Sequence, residues 1–372
     1  MCRSRRKSDN LGVTIARCDL PSVAYSPLML TSAVTKALRG LFSRRRNIPA
    51  LLALSLAVAG ALEAEPASIN TGRSSLFVII GAPGEEEFGR SFAESATQWE
   101  TTAKRAGAKE LILGLKTNEA ASTREQLQQA LAQETKEGPG ELWLVFIGHG
   151  TFDGKEAKFA MRGPDISATE LASWLQPFRR PVAVVDAASA SAPFLTKLSA
   201  TNRVVVTATR SGGEVNYSRF GRFFSEAVAS PDADLDKDGQ TSLLEAFLMA
   251  SRRVKEFYET EGRLVTEHAL LDDNGDGLGT PPDWFRGIRA TKAAKDGAPL
   301  DGLRAHQFHL VRSEAELKLP PEIRAKRDEL EVAVAKLRDS KKSLPEEEYY
   351  QKLEVLLLEL ARLYEGSAGA GR

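Results

Sequence analysis

One stretch of the chain, residues 141–154, contains an unbroken apolar run that stops abruptly at glycine. Leu142–Ile147 is apolar throughout and is followed by Gly148, His149 and Gly150. A short continuous apolar run of this kind is typical of a strand that is buried on both faces of a parallel sheet. Because α/β proteins bind ligands at the carboxyl ends of such strands, His149 is a candidate general base. The alternative interpretation is a turn histidine without chemistry.

Between residues 75 and 207, apolar runs alternate with segments of helical composition, and this alternation predicts the fold class. The predicted strands are 75–84, 111–115, 142–147, 181–186 and 203–207, and the predicted helices between them are 85–105, 122–136 and 167–175. Ser122 with Glu125, and Ser167 with Glu170, form the capping-box pattern that starts a helix. Residues 151–162 are predicted to form a hairpin. The alternation predicts an α/β fold with a mainly parallel sheet and helices on both faces.

The amino-terminal residues 1–64 are predicted to be a basic extension followed by a secretory signal peptide. Three consecutive arginines, at 44–46, precede an apolar run over residues 48–62 that ends in small residues. This order is typical of a signal peptide, with cleavage after Ala61 or Ala64, and predicts export to the periplasm or the outside. A run of about 15 residues is shorter than a membrane-spanning helix, although an uncleaved anchor is the alternative. Met29 is an alternative start to Met1.

Charge and cysteine content exclude several classes of function. The formal net charge is zero, with 50 basic and 50 acidic residues, so the charge balance does not indicate a nucleic-acid partner. The two cysteines, Cys2 and Cys18, both precede the predicted cleavage site. The exported chain is therefore predicted to have no disulfide, no thiolate metal ligand and no cysteine nucleophile.

Two segments that end neighbouring predicted strands resemble the caspase-like peptidase fold, and within it the legumain-like branch. In that family a His-Gly pair closes one strand, and an acid-Ala-Cys-x-Ser segment closes the next. The family's histidine matches His149, and its acid-Ala pair matches Asp186 and Ala187. Its nucleophilic cysteine falls on Ala188, and its serine falls on Ala190.

The resemblance covers residues 76–228, and it departs from the family at Ala188, where the family has its nucleophilic cysteine. This difference determines what the resemblance implies about activity. Alanine carries no nucleophile, and acyl transfer needs a thiolate or an activated hydroxyl beside the histidine. The resemblance therefore implies an inactive peptidase scaffold with His149 as a vestigial catalytic residue. The cleft that would hold the substrate in an active peptidase is then predicted to bind a peptide or protein partner. The alternative is an active hydrolase in which His149 acts with Ser189 or Ser191.

Residues 234–245, DLDKDGQTSLLE, match the calcium loop of the EF-hand family. That loop carries oxygen ligands at positions one, three, five, seven, nine and twelve, with glycine at position six. The corresponding residues here are Asp234, Asp236, Asp238, Gln240, Ser242 and Glu245, with Gly239 at the turn. Calcium takes about six to eight oxygen ligands, so the loop predicts Ca²⁺ as a cofactor. The alternative is an Asp-rich surface turn.

Residues 272–283, DDNGDGLGTPPD, are a partial copy of this loop and a candidate second calcium site. The residues that fit are Asp272, Asn274, Asp276 and Gly277, with Asp283 at position twelve, where glutamate is preferred. Pro281 and Pro282 exclude an ordinary exiting helix. The alternative is a double turn without a cation.

The carboxyl-terminal residues 318–366 are predicted to form an antiparallel helical hairpin. Pro320 and Pro321 open the first helix, and a break follows at 343–345. The second helix carries an apolar seam typical of a coiled coil, formed by Tyr349, Leu353, Leu356, Leu360 and Leu363. The hairpin is predicted to fold back on the sheet domain or to pair with another copy of the chain. The alternative is a solvated helical tail.

The sequence therefore divides into residues 1–64, an α/β domain over 72–230, a calcium-loop region over 231–290 and the hairpin over 318–366. The overall prediction is an exported calcium-binding protein with an inactive peptidase-like domain. No nucleic-acid partner is predicted, and membrane contact is predicted only through an uncleaved signal segment. A purely structural, calcium-stabilised module is the remaining alternative.

Overall fold

The structure is a computed structural model that describes residues 72–116, 121–296 and 298–369. The predicted signal segment lies outside the described residues. Within the described residues, no helix combines the length and the apolar character that crossing a bilayer requires.

A six-stranded sheet forms the centre of the described chain, with the strand order β2-β1-β3-β7-β8-β9. The strands are β1 (Ser75–Ile80), β2 (Lys109–Leu113), β3 (Leu142–Ile147), β4 (Gly150–Phe152), β5 (Ala157–Phe159), β6 (Ile166–Ser167), β7 (Val182–Asp186), β8 (Arg203–Thr207), β9 (Leu270–Asp272), β10 (Phe285–Arg286) and β11 (Arg289–Ala290). The first five strands in the central sheet are parallel, and β9 runs antiparallel to β8. The predicted α/β class with a mainly parallel sheet is confirmed.

Helices cover both faces of this sheet. They are α1 (Glu86–Ala106), α2 (Thr123–Gln133), α3 (Ala168–Leu175), α4 (Ala192–Leu198), α5 (Phe220–Ala227), α6 (Leu243–Thr260), α7 (Leu303–Gln307), α8 (Glu314–Lys318), α9 (Pro321–Asp339) and α10 (Glu346–Gly369). Trp143 and Val145 of β3 pack on the face covered by α1, α5 and α6, whereas Leu144 and Phe146 pack on the face covered by α2, α3 and α4. Side chains alternate between the faces of a strand, so burial on both faces explains the unbroken apolar run.

Local sequence signals match the structure closely in the first half of the chain. Ser122 and Ser167 each start a helix through a complete capping box. The predicted hairpin is the antiparallel pair β4 and β5, which β6 extends to three strands. Strand β9 was not predicted, because it has only three residues and ends at Asp272, inside the acidic motif.

The two carboxyl-terminal helices, α9 and α10, form the predicted hairpin. Arg327, near the start of α9, interacts with Tyr364 near the end of α10, while Lys341 lies over the ring of Tyr349. These contacts make the pair antiparallel. The predicted seam of α10 is its more buried side, whereas Val355, Leu357 and Leu358 are exposed.

Candidate functional site

His149 and residues 186–191 lie at the carboxyl ends of two hydrogen-bonded strands. Strands β3 and β7 are parallel neighbours, and Phe146 is in register with Asp186. The backbone of Gly150 approaches the next strand end so closely that a Cβ there would lie 2.3 Å from the carbonyl oxygen of Ser189. Glycine at position 150 is therefore required for this contact. The structure thus brings together the two segments that carry the resemblance to peptidases.

The imidazole of His149 nevertheless packs away from Ala188. Its Nε2 donates to the carbonyl of Pro83 at 3.1 Å, and its ring lies 5.0 Å from the ring of Phe88 and 5.5 Å from that of Phe92. Both phenylalanines belong to α1, on one face of the sheet, whereas Ala188 packs in the apolar cluster of the opposite face. The imidazole and the Ala188 methyl group therefore project to different sides.

The two serines that the sequence offered as alternative nucleophiles are buried and hydrogen-bonded. Ser189 is 2% exposed, and its hydroxyl accepts from the Gly150 N–H at 3.1 Å and donates to the Gly150 carbonyl at 3.2 Å. Ser191 is 1% exposed and shares a 3.1 Å hydrogen bond with the hydroxyl of Thr209. Among the described residues neither hydroxyl bonds to His149, and acyl transfer requires that contact.

Asp186 is a buried carboxyl group at the base of this segment. Its Oδ1 accepts from the N–H of Ala188 at 3.1 Å, and its Oδ2 has no hydrogen-bond partner among the described residues. Burial raises the pKa of Asp186 to about 7, because the charged form loses its hydration and only one backbone N–H opposes that cost. The group is therefore largely protonated in mildly acidic solution.

A cavity of about 460 Å³ opens beside the strand ends. Pro193 of α4, Arg210, Leu278 and Trp284 are among the residues that line it. The lining therefore combines apolar side chains with the guanidinium group of Arg210.

The first loop, residues 234–245, brings three carboxylates together. One carboxylate oxygen from each of Asp234, Asp236 and Glu245 lies within 4.8 Å of the others. Calcium binds oxygen at about 2.3–2.6 Å, so oxygens on opposite sides of one ion lie up to about 5 Å apart. The spacing in the first loop therefore fits a calcium ion.

Backbone donors hold the first loop in shape. The Asp234 carboxylate accepts from the N–H groups of Lys237 at 2.6 Å and Gly239 at 3.1 Å, and both donors have positive φ, +63° and +88°. Asp238 accepts from the N–H of Gln240 at 2.9 Å, and the Gln240 side-chain oxygen accepts from the N–H of Ser313. Asp238 is exposed.

Glu245 closes the first loop from its far end. One of its oxygens accepts from the N–H groups of Leu235 at 2.7 Å and Asp236 at 3.4 Å. The other accepts from the Ser242 hydroxyl at 2.8 Å, and Ser242 in turn caps α6. Glu245 is fully buried, so the start of α6 and the loop form one unit.

The second loop, residues 272–283, has the same internal hydrogen bonds. The Asp272 carboxylate accepts from the N–H groups of Gly275 at 3.0 Å and Gly277 at 3.1 Å, which occupy positions four and six and have φ of +81° and +76°. Asp276 accepts from the N–H of Leu278 at 2.8 Å, as Asp238 does from Gln240.

Asp301 occupies the place in the second loop that Glu245 occupies in the first. It accepts from the N–H groups of Asp273 at 3.1 Å and Asn274 at 3.3 Å, at positions two and three, and from the Thr280 hydroxyl at 2.6 Å, at position nine. Asp283, which the sequence analysis named for this place, is exposed in a short 3-10 turn. Burial, together with the Asp273 carboxylate, raises the pKa of Asp301 to about 8.

Sequence reasoning also missed His306 beside the first loop. Its Nε2 lies 3.3 Å from the Asp236 carboxylate, and its Nδ1 lies 3.4 Å from the Ser242 hydroxyl. Neither His306 nor Asp301 carries a local motif that reveals such a role, because both lie far along the chain from the loops they contact.

Comparison with known proteins gives similarity of structure only. No family model and no curated relative matches the sequence. The chain is similar to the Drosophila initiator caspase Dronc, at 11% identity and a TM-score of 0.35 over 62% of this chain and 94% of that one. It is also similar to caspase-1 from Spodoptera frugiperda, at 11% identity and a TM-score of 0.36, over 58% of this chain and 94% of that one.

Raptor from Chaetomium thermophilum is similar over 44% of this chain and 18% of its own, at 11% identity and a TM-score of 0.30. Because these TM-scores are low, the fold class rests on the order and direction of the strands described above. Fold and site together define a mainly parallel α/β protein with two carboxylate loops.

Proposed function

We propose that this chain is an exported calcium-binding protein whose caspase-like, legumain-related domain is catalytically inactive and binds a peptide or protein partner. The observation that carries the proposal is the group of Asp234, Asp236 and Glu245 oxygens at a spacing that fits calcium. In the first loop Asp238, Ser242 and the carbonyl of Gln240 complete the oxygen set. The second loop offers oxygens from Asp272, Asn274 and Asp276, with Asp301 at the place of Glu245, but among the described residues only the first loop brings three carboxylates to this spacing.

Calcium supplies charge neutralisation and a fixed centre for these loops rather than a reaction. The first loop leads directly into α6, whose apolar residues pack against the central sheet. A cation that binds the folded loop and not the unfolded chain stabilises the fold by mass action. Export agrees with this role, because extracellular calcium modules work at about 10⁻⁴–10⁻³ M.

Three features support inactivity and partner binding. Alanine stands at the nucleophile position, and the neighbouring serine hydroxyls are buried against Gly150 and Thr209. The histidine that a hydrolase needs donates to the carbonyl of Pro83. The 460 Å³ cavity beside this inert centre offers a partner both apolar side chains and the Arg210 guanidinium.

Two further proposals concern assembly and the alternative function. The exposed apolar residues of α10, including Leu357 and Leu358, support self-association through the hairpin. A purely structural module, in which calcium stabilises the sheet domain without a partner, is the second candidate function. The first loop and its link to α6 support the structural module as well as they support the partner-binding protein. Only an experiment on partner binding distinguishes these two functions.

Thermal unfolding in calcium tests the cation proposal. We expect the melting temperature of the wild-type protein to rise with calcium up to millimolar concentration. Asp238→Asn, an exposed change at position five, is expected to reduce the rise, because one ligand oxygen becomes a neutral amide. Asp232→Asn, an exposed change outside the loop, is the matched control and should keep the full rise. If millimolar calcium leaves the melting temperature of the wild-type protein unchanged, the proposal is contradicted.

Peptide selection tests the partner proposal. Peptides selected from a random display library on the wild-type protein should lose binding to Leu278→Asp, which places a charge in the lining of the cavity. Leu317→Asp is the control, because Leu317 is 63% exposed on α8 and does not line the cavity. Equal loss in both variants, or no enrichment at all, would favour the structural module.

A further inference from the structure

A second cavity, here called the hairpin pocket, lies where the carboxyl-terminal hairpin contacts the rest of the domain. It has a volume of about 210 Å³, and it is formed by β11 with the residue before it, by α7 with the residues before it, and by the carboxyl end of α9. Ile288, Leu303, Ala335, Arg338 and Asp339 are among its lining residues. The hairpin pocket shares no lining residue with the larger cavity beside the strand ends.

Apolar side chains form one part of the wall of the hairpin pocket. Ile288, Leu300, Leu303 and Ala335 are each half-buried, and they come from elements that are distant along the chain. The packing of α9 beside α7 therefore creates the pocket. Sites for drug-sized ligands have volumes of about 300–1,000 Å³, so this smaller pocket fits a smaller molecule.

Two oppositely charged side chains, those of Arg338 and Asp339, complete the wall at the end of α9. Among the described residues, the guanidinium group of Arg338 has no hydrogen-bond or ion-pair partner. Within the same part of the chain Asp339 pairs only with Arg289, at 3.4 Å, and the Arg289 side chain is 61% exposed. An exposed ion pair of this kind contributes little to stability, so both groups at the end of α9 keep the capacity to bind a ligand.

The titratable groups that line the pocket elsewhere, Asp301 and His306, are bonded to the carboxylate loops. The Asp301 carboxyl group accepts from two backbone N–H groups and one hydroxyl of the second loop. Both ring nitrogens of His306 face side chains of the first loop. The charge that a ligand meets in the pocket is therefore set mainly by Arg338 and Asp339, one positive and one negative.

We propose that the hairpin pocket binds a free amino acid with an apolar side chain. Such a molecule carries one carboxylate and one ammonium group, and Arg338 and Asp339 complement the two. A guanidinium group binds a carboxylate through two parallel hydrogen bonds. The apolar side chain of the ligand then lies against Ile288, Leu303 and Ala335. A ligand with only one sign of charge would face a like charge in the wall.

Calorimetric titration of the full chain with L-leucine, in the presence and in the absence of calcium, tests this inference. We expect saturable binding at a single site. L-leucine amide lacks the carboxylate, 4-methylpentanoate lacks the ammonium group, and glycine lacks the apolar side chain. Each is expected to bind at least about tenfold more weakly, because each leaves one part of the wall without its partner.

Two variants at the end of α9 are matched to these analogues. Arg338→Gln should weaken the binding of L-leucine at least about tenfold and should not weaken that of L-leucine amide, which has no carboxylate for the guanidinium group to bind. Asp339→Asn should weaken the binding of L-leucine and leave that of 4-methylpentanoate unchanged or tighter. Lys336→Gln is the control, since Lys336 is exposed on the same helix and does not line the pocket. A thermal melt without ligand confirms that each variant is folded.

The outcomes decide this inference independently of the proposed function. Selective losses in the Arg338 and Asp339 variants, with binding kept in Lys336→Gln, support it. Equal affinity for L-leucine and its three analogues overturns it, as does equal weakening in all three variants. Absence of saturable binding for L-leucine, L-valine and L-phenylalanine at millimolar concentration also overturns it. None of these results bears on calcium binding by the first loop or on the larger cavity.

Discussion

The hydroxyl of Ser189 lies between the N–H and the carbonyl of Gly150, accepting from one at 3.1 Å and donating to the other at 3.2 Å. This pair of bonds joins Gly150, the first residue of β4, to the turn that follows β7. It satisfies two backbone groups that are buried away from water. A hydroxyl that would attack a substrate in an active hydrolase is thus part of the backbone hydrogen bonding here.

Replacing Ser189 with alanine is expected to lower the free energy of unfolding by about 1–3 kcal/mol. The change leaves the buried N–H and carbonyl of Gly150 without their partner, and such groups carry the full desolvation cost. Urea unfolding followed by circular dichroism measures the difference. Ser211→Ala is the matched control, since Ser211 is exposed, and its effect should stay within about 0.5 kcal/mol.

A fluorophosphonate probe, which labels activated serines, is expected to leave the protein unlabelled. Ser189 and Ser191 are buried, and neither is hydrogen-bonded to the histidine that would activate it. Mass spectrometry of the treated protein reads out the result. Labelling that disappears in both His149→Ala and Ser189→Ala would instead establish the hydrolase alternative.

Two glycine-to-alanine changes are expected to act in opposite directions. In Gly150→Ala the new Cβ meets the Ser189 carbonyl oxygen at 2.3 Å, so the strand ends must move apart, at a cost of about 1–3 kcal/mol or more. In Gly89→Ala the nearest atom, on Pro83, is 3.5 Å away within helix α1. That change should stabilise the protein by about 0.5–1 kcal/mol, because alanine favours the helix. Equal effects in urea unfolding would contradict the close approach at Gly150.

The stabilisation that Asp186 contributes is expected to fall as the pH rises from about 4 to about 7. Its pKa is near 3.8 in the unfolded chain and about 7 in the fold, so the folded state holds a proton that the unfolded state has lost. Stability from this group is therefore complete below pH 4 and declines by up to about 1.4 kcal/mol per pH unit until the carboxyl ionises in the fold.

Comparison of the wild-type protein with Asp186→Asn isolates this effect. All other titrating groups are common to both proteins, so the difference between their unfolding free energies at pH 4.5–7.5 reports Asp186 alone. A difference that does not change with pH would mean that Asp186 ionises as freely in the fold as in water.

Leucines of the two carboxyl-terminal helices are expected to differ sharply in their effect on stability. Leu330 of α9 is 4% exposed, whereas Leu357 of α10 is 47% exposed. Leu330→Ala should lower the free energy of unfolding by about 2–5 kcal/mol, because it leaves a cavity, and Leu357→Ala by no more than about 0.5 kcal/mol. Similar small effects at both positions in urea unfolding would indicate a solvated tail.

The α/β class was readable from the chain because each signal is local. A strand buried on both faces needs consecutive apolar residues, so Leu142–Ile147 predicts its own burial. A capping box uses a hydroxyl and a carboxylate three residues apart, so Ser122 and Ser167 predict their helices. The first loop was readable for the same reason, since its hydrogen bonds join residues within one twelve-residue window.

Only the tertiary structure decided which distant groups complete these local patterns. Asp301 and His306 meet the loops through folding, and no spacing rule connects residues so far apart. The side of the sheet to which His149 turns, away from Ala188, depends on packing against Phe88 and Phe92 of another element. Short-range hydrogen bonds and periodic burial are encoded along the chain, whereas such contacts depend on how separate elements pack in space.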